Sequence, residues 1–285
     1  MSQSIESTLS LFGLKWNPFS ADIPIEAIHI SVALAHFVSR LERLVSTGGF
    51  ALVTGDPGLG KSVAMRYVAA CLTRQRDLII GVLTAPHNGV SDFYRELGHL
   101  FGVSLAPRNR WGGFKALRDK WQQHCASTLF RPVLLIDEAQ QMSPTVLSEL
   151  RLLSSSEFDS RNLLSVVLAG DSRLTEKLAS DELLALGSRI RVRLTLDAAT
   201  PQELLQLLRH ALDAAGAPHL LTPDLMTTLC EHSGSNPRIL CGLGADLLAA
   251  AAERDLKQID EKLYLDLFAA PSRPRPKLAS SPRTR

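Results

Sequence analysis

Eight consecutive residues, Gly55-Asp56-Pro57-Gly58-Leu59-Gly60-Lys61-Ser62, bring together three glycines, a lysine and a hydroxyl at a spacing suited to holding phosphate. Glycine and proline let the backbone wrap closely, so that successive N–H groups, continuing into Val63, converge on an anion. Lys61 supplies a point charge for β- and γ-phosphates, and the Ser62 hydroxyl a ligand for Mg²⁺. An apolar run at 50–53 precedes the loop and a helix-like run at 63–70 follows it. Strand, glycine loop and helix in that order separate a nucleotide site from a chance glycine turn, because the helix adds its positive N-terminal end to the same anion.

A second group of candidates is acidic. Asp137 and Glu138 close an unbroken apolar run at 133–136. An aspartate there is suited to hold Mg²⁺, usually through water, and the glutamate beside it to polarise the water that attacks a γ-phosphate. Another apolar run, 163–169, ends in Gly170-Asp171-Ser172-Arg173. Asp171 is read either as a group that senses the γ-phosphate and orients the water, or as the polar residue of a plain turn. Arg189, Arg191 and Arg193 alternate within LGSRIRVRL and share one face if a strand has begun by Arg189. One of them is a candidate to reach a neighbouring subunit's nucleotide; a solvated basic edge is the alternative. Arg238 follows Asn236-Pro237, a firm helix entry from which it can fold back onto the γ-phosphate. Arg108, Arg110, Trp111 and Lys115 form a basic, aromatic-containing segment of the kind that contacts DNA phosphates, or an ordinary solvated loop.

These groups need elements to carry them. Continuous apolar runs at 133–136 and 163–169 read as strands buried on both faces, and 50–54, 78–83 and the shorter 191–196 as further strands. Helical spacing at 31–46, 91–101, 114–129 and 144–153, the last with Ser143 as cap, supplies the crossovers of a wound, parallel α/β sheet. Residues 106–113, with Pro107 and Gly112-Gly113, read as a loop, and 11–20 as a loop anchored by Trp16, Pro18 and Phe19. Ligands of such sheets sit at the carboxyl ends of the strands, where the chemically suggestive groups fall. From Thr200 the pattern becomes wholly helical, at 201–215, 223–232, 236–252 and 257–268, opened by the capping-box spacing of Thr200 and Glu203. The expected organisation is residues 1–46 as an entry belonging to the α/β domain, 47–199 as its core, 200–270 as a helical domain, and 271–285 as a disordered basic tail.

Composition bounds the rest. With 285 residues, 45% of them hydrophobic and 21% charged, the chain can bury a sizeable core. A net charge of +2 leaves any attraction to nucleic acid to local patches such as the Arg108–Lys115 segment and the tail. The apolar runs are too short to span a bilayer, and the N-terminus lacks the basic-then-apolar order of a secretory signal, so a cytoplasmic protein without a membrane partner is expected. Four cysteines without paired spacing read as reduced, mostly buried thiols.

The order of GDPGLGKS, VLLIDEAQ, VLAGDSRL, SRI and GSNPRI resembles an AAA+ ATPase of the initiator-related group. Within it the chain looks most like the ExeA-type ATPases and transposition regulators of the TnsC, TniB, IstB and MuB type. The opening NPF, the ELRLLSSSEFDSRNLL stretch and the lid motif match the ExeA-type pattern, and the resemblance covers residues 11–268. It implies a five-stranded parallel P-loop sheet with a C-terminal helical lid, ATP and Mg²⁺ bound at subunit interfaces, and a homo-oligomeric ring or filament. By motif position Lys61 and Ser62 are Walker A, Asp137 and Glu138 Walker B, Asp171 sensor 1, Arg189 the arginine finger and Arg238 sensor 2. After the fourth strand the family pattern reads GQPEL where this chain has Gly170-Asp171-Ser172-Arg173-Leu174, and Leu186-Gly187-Ser188 before Arg189 keeps Arg191 a rival for the finger. Secretion-type members carry a membrane helix and a wall-binding extension that are not seen here. The expectation is therefore an ATPase that oligomerises on duplex DNA with little sequence preference and regulates transposition through a transposase. An accessory ATPase acting on a protein partner, and a switch that binds ATP without hydrolysing it, are the rival expectations.

Overall fold

The central apolar runs become strands because helices cover them on both sides, while the edge strand at 190–196 keeps alternate residues exposed. The computed structural model describes residues 8–86, 88–104, 110–157 and 160–268. Strands β1 (Gly49–Gly55), β2 (Ile80–Leu83), β3 (Val133–Ile136), β4 (Ser165–Gly170) and β5 (Ile190–Leu196) form one parallel sheet in the order β2-β3-β4-β1-β5. Side chains alternate between its faces. Ala51, Val53, Val133, Leu135, Val167 and Ala169 pack under α1 (Val32–Thr47) and α2 (Lys61–Thr73). Phe50, Leu52, Leu134, Ile136, Val166 and Leu168 pack on the opposite side. That side is covered by α3 (Val90–Phe101), α4 (Arg110–Ser127), α5 (Pro144–Ser154), α6 (Ser172–Ala179) and the single turn α7 (Leu184–Gly187).

Strand register brings the chemistry to one edge. Ile136 pairs with Leu168, Thr54 with Gly170, and Gly55 with Leu196. The carboxyl ends of β3, β4, β1 and β5 are therefore level, and the residues that follow each strand become neighbours across the sheet.

From Pro201 the chain forms α8 (Pro201–Ala215), α9 (Pro223–His232), α10 (Pro237–Glu253) and α11 (Glu261–Phe268) around Leu204, Leu208, Leu229, Leu247 and Leu263. The Thr200–Glu203 capping box is formed in both directions. Two expectations are corrected. Residues 110–113 are helix rather than loop, since α4 begins at Arg110. Glycine costs a helix interior about 1 kcal/mol, but Arg110 is anchored to buried Glu149 and the helix buries Leu117 and Trp121. The entry residues also divide: α1 packs on the sheet, whereas Leu14 and Phe19 lie within the helical domain's core. Between them, Arg66 of α2 donates to the carbonyls of Ala21 and Ile23, so the strap ties the helical domain to the helix that follows the glycine loop.

Candidate nucleotide site

The loop after β1 is shaped by close approaches that only glycine allows. A Cβ on Gly58, whose φ is +92°, would stand 2.4 Å from Asn236 Oδ1, and Gly60 turns left-handed at φ +96° to start α2. Gly60 offers no capping side chain. By contrast Ser31, Ser143, Asp171, Thr200, Thr222 and Asn236 each cap their helices with a side-chain oxygen. The first N–H groups of α2, on Lys61, Ser62 and Val63, are thus left without a side-chain cap, at the positive end of the helix. Lys61 is only 7% exposed, and its Nζ donates to the carbonyls of Gly55 at 2.8 Å and Asp56 at 3.1 Å. Folded back in this way, the ammonium is curled into the loop that its own backbone forms.

Asp137 and Glu138 follow β3 at the same edge. Glu138 sits in the left-handed region at φ +52°, uncommon for a side chain with a Cβ, and its N–H donates to Asp137 Oδ1 at 2.9 Å. Its Oε2 accepts from Gln140 Nε2 at 2.6 Å, and Gln140 is 6% exposed. Ser62 is exposed and Asp137 half-buried. Among the described residues no cluster of three or more metal-ligating side chains occurs. A serine hydroxyl and one carboxylate suit Mg²⁺, which binds through one or two protein oxygens and takes the rest from phosphate and water.

Asp171, after β4, caps α6 by accepting from Arg173 N at 3.0 Å. The Arg173 guanidinium also closes on it, with Nε at 2.9 Å and Nη2 at 2.6 Å from Oδ2. These bonds, with the Lys61 charge in the background, hold the Asp171 carboxyl below the usual aspartate range. Asp171 acts first in raising the pKa of Arg173, and Glu138 adds to it. Asp171 therefore lies in the field of Lys61, and Arg173 in that of Glu138.

The arginine candidates separate. β5 begins at Ile190, so Arg191 and Arg193 alternate on its exposed face, while Arg189 precedes the strand and is half-buried after α7. The carbonyl of Arg191 accepts from Arg40 at 2.8 Å, and Arg193 donates to Gly187 O at 3.4 Å. Arg238 is exposed at the entry of α10, and that entry is seated on the glycine loop. Arg238 N donates to Gly58 O at 3.2 Å, and Asn236 Nδ2 to Pro57 O at 3.1 Å.

Of the nucleic-acid candidates, Arg108 lies outside the described residues, as does the tail at 271–285. Arg110 bonds both oxygens of Glu149, which also accepts from Tyr94 Oη at 2.8 Å. Its charge is thereby matched within the fold. Trp111 is 74% exposed and stacks on Phe114 with ring centroids 5.6 Å apart, and Lys115 is exposed one turn further on. Trp111 and Lys115 thus share an outward helix face.

Gln140, Arg173 and Asn236 were not singled out by sequence reasoning. The Asn-Pro helix entry was a signal for Asn236. For the other two, adjacency to Glu138 and Asp171 was the only sign.

An AAA domain model matches residues 42–178. The chain is 33% identical over 256 residues to the general secretion pathway protein A of Aeromonas hydrophila, covering 87% of this chain and 45% of that protein. It is 25% identical over 211 residues to the ATP-dependent target DNA activator B of Escherichia phage Mu, covering 68% of this chain and 63% of that one. The chain thus spans about half to two thirds of these relatives' lengths. In fold it is similar to the Aeropyrum pernix ORC2 protein, with a TM-score of 0.68 at 13% identity over 87% of this chain and 69% of that one.

Proposed function

The chain belongs to the AAA+ proteins, in the group of the secretion-pathway and phage relatives, and from that premise we propose that it is a Mg²⁺-dependent ATPase whose nucleotide-governed oligomers act on duplex DNA to regulate transposition. The observation that carries the reading is the single sheet edge that bears both Lys61 with the uncapped N-terminus of α2 and the Asp137–Glu138 pair. Residues 55–63, apart from Pro57, which has no N–H, would bind the phosphates by their backbone N–H groups, and Lys61 would exchange two loop carbonyls for phosphate oxygens. Ser62 and Asp137 hold Mg²⁺, which when bound neutralises phosphate charge. Glu138, preset by its N–H bond to Asp137 and by Gln140, accepts the proton of the attacking water. Arg189, with Arg191 as rival, reaches the nucleotide of the adjoining subunit, and Arg238 approaches from the lid.

The DNA half of the reading is supported by the outward Trp111–Lys115 face and by what the phage relative's name says of that protein. Identity to the secretion-pathway protein, higher and over more of this chain, supports a second reading, an accessory ATPase acting on a protein partner. Among the described residues no helix is long and apolar enough to cross a membrane. Electron microscopy with a slowly hydrolysed ATP analogue, with and without duplex DNA, separates the readings. Rings or filaments that need both nucleotide and DNA support the first; nucleotide-dependent oligomers indifferent to DNA support the second. Lys61→Ala should abolish assembly, and unchanged assembly in that variant overturns the nucleotide reading itself.

A further inference from the structure

An ionised carboxylate accepts hydrogen bonds and donates none, and the same holds for a γ-phosphate. Two such groups repel, so Asp171 is chemically unsuited to be the donor that detects a third phosphate from the end of β4. Its oxygens are in any case taken. Oδ1 accepts from Arg173 N at 3.0 Å and Nε at 3.2 Å, and Oδ2 from Nε at 2.9 Å and Nη2 at 2.6 Å. The exposures are opposite: the Asp171 side chain is 9% exposed and that of Arg173 69%. The carboxylate is the fixed base and the guanidinium the exposed end of the pair. A backbone bond and a two-pronged side-chain bond to one carboxylate leave the guanidinium little freedom to turn. Its Nε–Nη2 edge faces Asp171, and the planar fork carries further donors on the Nη1 side. It lies in the field of Glu138, while Asp171 lies in that of Lys61.

We propose that Arg173 is the group that reads the γ-phosphate within its own subunit, and that Asp171 is the positioning residue that aims it. The inference rests on the nucleotide reading above. No covalent bond is made or broken by Arg173: it contributes hydrogen bonds and charge to a triphosphate that a diphosphate cannot receive. Asp171 keeps the cation neutralised while no third phosphate is bound, so the site is not left with an unbalanced positive cluster.

The test is equilibrium binding of fluorescent ADP and of a fluorescent non-hydrolysable ATP analogue to the full chain. Arg173→Ala should leave ADP affinity within about twofold and weaken the ATP analogue by about tenfold or more, abolishing the preference between them. Arg173→Lys should restore part of that preference, because charge returns without the fork. Asp171→Asn keeps a capping oxygen but no longer holds the guanidinium by charge, and should lower the preference while leaving ADP binding intact. A merely structural pair would move both affinities together, or neither. An Arg173→Ala protein that keeps the wild-type preference overturns the inference; if that variant does not fold, Arg173→Gln is read in the same way. Failure of the wild type to bind either nucleotide instead overturns the nucleotide reading, and this inference with it.

Discussion

Glu149 is 4% exposed, yet it tolerates burial because Tyr94 and Arg110 both donate to it. Burial and this carboxylate together push the Tyr94 phenol well above its usual range. Tyr94→Phe removes one donor and should cost about 1–2 kcal/mol in chemical denaturation. Arg110→Ala should also destabilise, so any loss of DNA affinity in it would be confounded with loss of fold. Lys115→Ala is the cleaner probe: stability should be unchanged, and the slope of log affinity against log salt should fall by about 1. Asp171 adds a pH dependence. Its folded pKa is lowered, so its contribution is present above the ordinary aspartate pKa and is lost as pH falls through the lowered value. The stability difference between wild type and Asp171→Ala, about 1 kcal/mol for a lost cap, should hold above about pH 5 and shrink below about pH 4. A difference independent of pH in acid would contradict it.

At the level of elements, the entry strap is the part whose allegiance matters most. Phe19 lies so close to α10 that a Cβ on Gly244 would come within 2.5 Å of its ring. Gly244→Ala should force that ring out and cost about 1–3 kcal/mol in thermal or urea unfolding. Phe19→Ala should cost about 3 kcal/mol or more through the cavity it leaves. In the double variant the penalties should fall short of additive, since both act on one contact; strict additivity would mean that the strap is held elsewhere. The strap also links the helical domain to α2 through Arg66, so loosening it should be felt at the glycine loop. α4 teaches a related lesson. Its glycines read as breakers, and the anchor that overrides them, Glu149, lies on a different helix.

For the whole molecule, the entry of α10 is seated on the glycine loop. Asn236 holds Pro57 O, and Gly58 has no room for a side chain against Asn236. Asn236→Ala also removes the cap of α10 and should cost about 1 kcal/mol, a few degrees of melting temperature; hydrogen exchange should accelerate in residues 56–62 as well as in the first turn of α10, and unaltered exchange in 56–62 would mean that the contact does not restrain the loop. Much of this architecture was determined by the sequence alone. The helices at 201–215 and 223–232, the Thr200 capping box and the parallel strands follow from capping residues and from runs of apolar side chains, which act over a few positions. The glycine turn after β1 and the place of Asp137–Glu138 at the end of β3 are legible for the same reason, since both are local backbone features. What only the tertiary structure decided are pairings between distant residues or choices among equal partners. These are the strap's packing on the lid, Arg110's commitment to Glu149, Asn236's hold on the loop, and the closing of Arg173 on Asp171. Local spacing carries no information about which distant surface will face a side chain; that is settled when the sheet register brings the strand ends level and the lid folds over them.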